Sequence, residues 1–380
     1  MRFDVGVIGG GLIGLACAWR LAQNGARVGL FERGRIGREA SRAAAGMLAA
    51  QCEAAHHPPD SQNPPDSQNE TARKAMFDLC LRSRALYPDF ARELYECSGV
   101  DSELSLCGAP TSDWRTPGIL YVATRADDFA PAQFEKQKKA GQRIEEGLWR
   151  EQRAFWLPDE GQVDNRKLTR ALLLAAQDAD VQVFANGEIQ WFQNGPQSTF
   201  KRGKELFSCD KVLCCGGAWN GLLAPLAHLP IRPVFGQMLS LRGRHLLGRV
   251  VYGSDIYLVP RRDGRILAGA TMEERGFERG SPADGVKELL RRARQLMPEV
   301  AQCDLLDHWS GLRPQSGDGL PIIGRVEENV WVAGGHFRNG VLLTPITAAL
   351  ICEAMLHDAP IPAAFLPQRF QNAKCNGAAT

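Results

Sequence analysis

Four residues near the start of the chain have the types and spacing that hold a dinucleotide. Gly9, Gly11 and Gly14 form G-x-G-x-x-G directly after the apolar run FDVGVI, and Glu32 closes the next apolar run, RVGLFE. That chemistry needs a tight turn, close backbone approach to a pyrophosphate at the positive end of a helix, and a carboxylate about 20 residues on to accept from a ribose hydroxyl. An acid at Glu32 argues against a 2′-phosphate and so against NADP, leaving FAD or NAD. A second signal lies far along the chain. GGHFRNGVLLTP, residues 334 to 345, sets Arg338 between glycines and a segment bound for the interior. Burying an always-ionised guanidinium requires an anionic partner.

The elements that must position these residues follow from patterning. FDVGVI predicts a buried strand, LIGLACAWRLAQ a helix stopped by Asn24-Gly25, and RVGLFE a second strand, together one βαβ unit. Residues 58 to 69, PPDSQNPPDSQN, are a polar tandem hexapeptide and predict a surface excursion. Glu70 to Leu94 predicts a helix broken at Pro88, Thr116 to Thr124 a strand, and the charged run to Arg153 further helix. Val163 to Gln177 predicts a helix and Val181 to Phe184 a strand, and antiparallel ribbons then precede the strand KVLCCGG. Ile231 to Ala270 is dense in strands, with YLVPRRDGRILAGA turning at Asp263-Gly264. Ser281-Pro282-Ala283-Asp284 reads as a capped helix start, and Val286, Leu289, Leu290, Ala293, Leu296 and Met297 share one face. Thr344-Pro345 reads as another cap and first-turn proline.

At 380 residues, two interleaved domains are expected. The net charge of +2 gives no reason to expect nucleic acid or an anionic membrane as partner. Arg261-Arg262 and Arg291-Arg292-Ala293-Arg294 read as solvated faces. Eleven cysteines without CxxC pairs form neither a disulfide framework nor a zinc site, so no metal is expected and a reducing compartment is. Cys214-Cys215 read as buried strand thiols. No signal peptide precedes the first strand, and Val5 to Trp19 is too short to span a bilayer. A cytoplasmic location without a membrane partner is the expectation.

Arg38 to Gln51, REASRAAAGMLAAQ, resembles the second flavin-contacting segment of the D-amino-acid oxidase superfamily, and within it the glycine oxidase family of the thiamine pathway. IYLVPRRDGRILAGATME (256 to 273), SGLRPQSGDGLPIIG (310 to 324) and GGHFRNGVLLTP carry the same resemblance, which runs from Arg2 to about Leu356. It weakens in the 52 to 70 loop and across 95 to 160. The implied fold is α/β, a discontinuous Rossmann-like FAD-binding domain (1–85, 155–225, 311–370). An inserted α+β substrate-binding domain on an antiparallel sheet (86–154, 226–310) and a tail (371–380) complete it.

Carried over by residue, the resemblance implies FAD contacts at Gly9, Gly11, Leu12, Ile13 and Gly14, at Glu32 and Arg33, and at Ala40, Ser41, Ala45, Gly46 and Met47. It adds Ile189 beside the adenosine, and Gly335, His336, Phe337, Arg338, Asn339, Gly340, Val341 and Leu342 beside the flavin. Monomeric sarcosine oxidase attaches its flavin through a cysteine near the segment matching Gly311 to Pro314. None stands there in this chain, so non-covalent FAD is expected. Arg313 is implied to hold a substrate carboxylate, with Tyr257 and Arg338 lining the site and Met47 and Met272 narrowing it. No catalytic side chain is expected, His336 included.

The activity implied is oxidative deamination of glycine, with sarcosine and small D-amino acids, by dioxygen, giving glyoxylate, ammonia and hydrogen peroxide. The resemblance leaves room for a homo-oligomer and for hand-off of the imine to a thiazole synthase. Two alternatives stay open: a D-amino-acid dehydrogenase passing electrons to a quinone, and a flavin-binding subunit without turnover. The dehydrogenases typically carry GHGTLGWT-like residues where this chain has GHFRNGVLLTP.

Overall fold

The computed structural model describes residues 1–56, 67–107, 116–125, 130–193, 197–243 and 246–370. Strand Arg2–Ile8 pairs in parallel with Val28–Phe31 on one side and Glu205–Cys214 on the other. Val330–Gly334 and Gln182–Phe184 extend the parallel set outward, and Ile322–Arg325 closes one edge antiparallel. A parallel sheet is covered on both faces, which is why its strands read as nearly continuous apolar runs. Helix Leu12–Gln23 lies on one face and packs against helices Asn165–Asp178 and Thr344–His357. An aromatic cluster fills the other face, with Phe31 at 4.7 Å from Phe200 and 4.9 Å from Phe207 between ring centroids.

A second sheet is mainly antiparallel. Its order runs Asp304–Ser316, Ile231–Arg242, Arg265–Gly269, Tyr257–Pro260, Val250–Gly253, Ile119–Val122, Gln152–Leu157, Glu145–Trp149, with one parallel pair between Val250–Gly253 and Ile119–Val122. The amphipathic helix Ala283–Leu296 packs on one face through Leu289, Ala293 and Leu296. Helix Ala130–Lys139 belongs to the core of the other face, and the short helix Ala50–His56 packs both on it and on the long helix Ser67–Ser98. Ala50–His56 is therefore a junction between the two layers.

Several expectations need correction. Pro88 does not break its helix, which runs continuously from Ser67 to Ser98. Buried Tyr87 and Phe90 anchor that turn on the first layer, which offsets the hydrogen bond proline removes. The domain boundary expected at 85/86 consequently falls inside a helix. Those at 154/155 and 310/311 fall inside the strands Gln152–Leu157 and Asp304–Ser316, both in the second sheet. Among the described residues, the charged run to Arg153 is helical only over Ala130–Lys139. A hairpin follows, and Arg150 and Glu151 both adopt positive φ between its strands.

Neither predicted cap forms. Pro282 and Leu343 hold the N-cap positions, the Ser281 hydroxyl donates to Gln237 and the Thr344 hydroxyl donates to the Gly340 carbonyl. Arg261 is not on a solvated face: it is 2% exposed. It donates to Ala45 O at 2.7 Å, Gln162 Oε1 at 3.0 Å and Asn165 Oδ1 at 3.2 Å, tying the second sheet to the first layer. Arg291, by contrast, is 55% exposed beside Glu288. Cys214 and Cys215 are buried. Most of the duplicated hexapeptide and the tail 371–380 lie outside the described residues.

Candidate active site

A cavity of about 490 Å³ runs from the N-terminal glycine turn to Arg313. At the glycine end the wall is backbone. Gly9 adopts φ +112°, and a Cβ there would lie 2.4 Å from the Cys215 carbonyl. A Cβ on Gly14 would stand 1.9 Å from the Gly9 carbonyl, so only glycine lets the helix press this close to the turn. Gly11 precedes helix Leu12–Gln23, whose own first turn contains no acid, and lines the cavity at the positive end of that helix. Both Glu32 oxygens accept backbone amides, from Gly10 at 2.8 Å and Gly34 at 2.9 Å. The carboxylate is thereby fixed at the cavity wall. Ser41 Oγ accepts the Leu12 amide at 2.9 Å and joins the second segment to the first.

The far end is built from charged and aromatic side chains. Arg313 extends from strand Asp304–Ser316 across Gly236, where a Cβ would meet its Nη1 at 2.0 Å. Its guanidinium donates to the Thr271 carbonyl at 3.2 Å, makes no ion pair among the described residues, and keeps part of its surface open. Burial lowers the Arg313 pKa, and neighbouring Tyr257 works in the opposite sense. Tyr257 is 7% exposed, and burial pushes its phenol up.

Arg338 has a different environment. Its Nε donates to Glu53 Oε2 at 2.6 Å and its Nη2 to Glu53 Oε1 at 2.9 Å, with Tyr252 Oη at 2.5 Å. Tyr252 Oη also donates to Glu53 Oε1 at 3.1 Å. The two side chains are only 14% and 8% exposed. Burial opposes the Arg338 charge, but Glu53 together with Tyr252 and Tyr257 outweighs it and raises the pKa well above the usual arginine value. The partner required by the buried charge of Arg338 is thus within the chain. A substrate carboxylate is not needed for it.

His336 is 3% exposed, with Nε2 at 3.1 Å from Thr347 Oγ1. Burial draws its pKa down to about 4, so the ring is neutral near pH 7. The carbonyls of Val341 and Leu342 accept from Tyr87 Oη at 2.5 Å and Ser83 Oγ at 2.6 Å. The long helix therefore fixes the loop that carries Arg338.

A model of the FAD dependent oxidoreductase family matches residues 4–354. The chain belongs to this family. It is similar to the bifunctional protein ThiO/ThiG of Synechocystis sp., at 36% identity over 97% of the chain, but it spans only 54% of that relative's length. It is also similar to the glycine oxidase of Pseudomonas aeruginosa, at 34% identity over 97% of this chain and 99% of that one. The crystal structure of glycine oxidase from Geobacillus kaustophilus superposes with a TM-score of 0.84 at 31% identity, covering 97% of this chain and 99% of that one.

This FAD-dependent oxidoreductase has a cavity whose residues suit the cofactor. The glycine cradle leaves no room for side chains where a pyrophosphate approaches, and Glu32 is held where a ribose hydroxyl would meet it. Of the expected cofactor residues, Gly9, Gly11, Leu12, Ile13, Glu32, Arg33, Ala40, Ser41, Ala45, Gly46, Met47 and Ile189 line the cavity, as do His336 through Val341. Gly14, Gly335 and Leu342, also expected there, are not among the residues that line it. Arg313, Tyr257, Arg338 and Met47 are brought together at the far end. Met272 is not: it is 59% exposed and lines an adjoining cavity, so it stands at the mouth rather than narrowing the chamber.

Sequence reasoning missed Glu53, Trp219 and Met238 on the wall. Trp219 stacks under Arg33, with the guanidinium carbon 3.9 Å from the ring centroid. Its signal was its place just past KVLCCGG, at the carboxyl end of a parallel strand, where ligands of open α/β sheets sit. Glu53 was signalled only as a lone acid in the apolar helix AQCEAAH. Among the described residues no acidic, histidine or cysteine cluster suits a metal ion, and no helix is long and apolar enough to cross a membrane.

Proposed function

We propose that the chain oxidises small amino acids, glycine and with it sarcosine and small D-amino acids, to the 2-oxo acid and hydrogen peroxide, releasing ammonia from the primary amines and methylamine from sarcosine. The observation that carries this reading is Arg313: a guanidinium without an ion-pair partner among the described residues, lining the same cavity as the dinucleotide cradle. Such a fork suits one carboxylate in bidentate geometry. Tyr257 and Met47 line the same cavity, and the glycine oxidases among the relatives support the choice of substrate.

FAD, when bound, supplies the two-electron acceptor for oxidation of the substrate Cα–N bond and passes the electrons to dioxygen. The chain's own part is to bind and orient. Arg313 fixes the carboxylate, and with it the face of Cα presented to the cofactor. His336, neutral and engaged by Thr347, and Glu53, engaged by Arg338, are not assigned as bases. Cys215 lines the cavity, but burial pushes its thiol pKa well up, which disfavours thiolate attachment and supports non-covalent FAD. Hand-off of the imine to a thiazole synthase is part of the proposal, in keeping with bifunctional relatives that extend well beyond the matched region.

Anaerobic addition of glycine, sarcosine or D-alanine to the purified holoenzyme tests the reading. Bleaching of the visible flavin absorption is expected, followed on admission of air by peroxide in equal amount to the amine released, ammonia from glycine or D-alanine and methylamine from sarcosine. A spectrum unmoved by all three overturns the proposal. Bleaching with turnover only on an artificial acceptor, and no peroxide, transfers it to a dehydrogenase.

A further inference from the structure

A second cavity, of about 510 Å³, adjoins the first; Tyr257 and Arg338 line both, and Tyr252, Thr271 and Met272 line the second. Two guanidinium groups thus flank the chamber, and they differ in what they have left to offer. Among the described residues Arg313 has the Thr271 carbonyl and the Tyr257 phenol as hydrogen-bond partners, while the charges of Glu53 and Arg338 act on it without pairing with it. The fork of Arg338 is filled by both oxygens of Glu53 and by Tyr252. A planar guanidinium gripped in this way has few donors remaining for another anion. Glu53 also lines the main cavity, so a ligand approaching Arg338 from the chamber meets a carboxylate first.

We propose that Glu53 is a specificity-determining residue. By occupying Arg338 it closes a second anion subsite, so the chamber accepts amino acids with one carboxylate and rejects those carrying a second anionic group. The inference rests on the amino-acid oxidase reading above. Its physical basis is twofold: a second carboxylate is repelled by Glu53, and displacing Glu53 leaves a buried carboxylate unpaired. Selectivity then comes from a built-in repulsive element as much as from Arg313. Glutamine at this position keeps the shape and an oxygen for Arg338 while removing the negative charge.

The test compares iminodiacetate with its monoamide, which have the same shape but differ in one charge, on the native holoenzyme and on the Glu53→Gln holoenzyme. The native enzyme is expected to favour the monoamide by about tenfold or more in kcat/KM, and Glu53→Gln to reduce that preference by about tenfold. Equal use of the two by the native enzyme overturns the proposal, as does an unchanged preference in a Glu53→Gln protein that retains its flavin spectrum. If the variant does not fold, binding to the native holoenzyme decides: malonamate should perturb the flavin spectrum at a concentration at least about tenfold lower than malonate. Equal affinities overturn the proposal. The binding measurement needs no turnover, so it still reads Glu53 if no amino acid is oxidised and only the reading of activity fails.

Discussion

The dinucleotide cradle and the substrate chamber share one cavity but are built differently. In the cradle the fit is steric and made by backbone: Gly9 and Gly14 allow approaches no side chain would, and amides fix Glu32. In the chamber the fit is electrostatic and made by side chains from distant segments, with Arg338 and Glu53 separated by 285 residues in sequence. The difference teaches where each is fragile. Added volume should damage the cradle, and altered charge should damage the chamber.

Arg313→Ala should show the largest effect and the cleanest separation. Loss of a desolvated carboxylate partner costs about 2–5 kcal/mol of substrate binding, expected as a collapse of kcat/KM for glycine. The flavin spectrum should remain intact, because Arg313 belongs to the chamber alone. If the purified variant instead lacks FAD, the two regions are not separable and Arg313 is part of the cradle's support.

Gly14→Ala probes the other side with a smaller effect. The new Cβ would stand 1.9 Å from the Gly9 carbonyl, so the turn or the helix must shift. Overpacking of this kind costs about 1–3 kcal/mol, measurable by urea unfolding. The protein should also purify with less FAD, and whatever holoenzyme forms should keep the native KM for glycine. A raised KM at full FAD occupancy would contradict the division of labour.

The same contrast explains how much was legible in the sequence. The cradle is local: strand, turn, helix and acid fall within residues 3 to 32, and backbone approach writes itself as glycine spacing. The chamber is not local. Arg338 drew attention as a buried charge, but its partner sits in a seven-residue helix, Ala50–His56, whose place is set only when the two layers pack. Arg261 failed for the same reason, since RRDGR reads as a solvated hairpin until Ala45, Gln162 and Asn165 close over its first arginine. The parallel sheet was foreseeable from patterning, and of the second sheet the strands around the Asp263-Gly264 turn were, but the hairpin of Glu145–Trp149 and Gln152–Leu157 reads as helix. The exact edges were not foreseeable, because strands such as Asp304–Ser316 run on past the change in composition that marks a boundary.

The smallest net effect in the native protein comes from two buried titratable groups that oppose each other, one on each side of the comparison. His336, beside the cradle, is drawn by burial from its ordinary 6.5 down to about 4. The unfolded chain therefore binds the extra proton first, and stability is lost as pH falls from about 6.5 towards 4. Glu160 lies beneath the chamber, accepting the amides of Gln51 and Cys52 at the start of the helix that carries Glu53, with Arg84 at 3.6 Å. Burial lifts its pKa from 4.5 to about 7, with Arg84 pulling the other way. Here the folded state keeps its proton longer, so stability is lost as pH rises from about 4.5 towards 7. Between about 4.5 and 6.5 the two slopes have opposite signs and partly cancel in the native protein. Single variants should unmask them in urea titrations across pH 4.5–7.5. His336→Gln should leave a curve that falls with rising pH, and Glu160→Gln one that rises. Two variants with the same pH slope as the native chain would mean that neither buried group changes its proton affinity on folding.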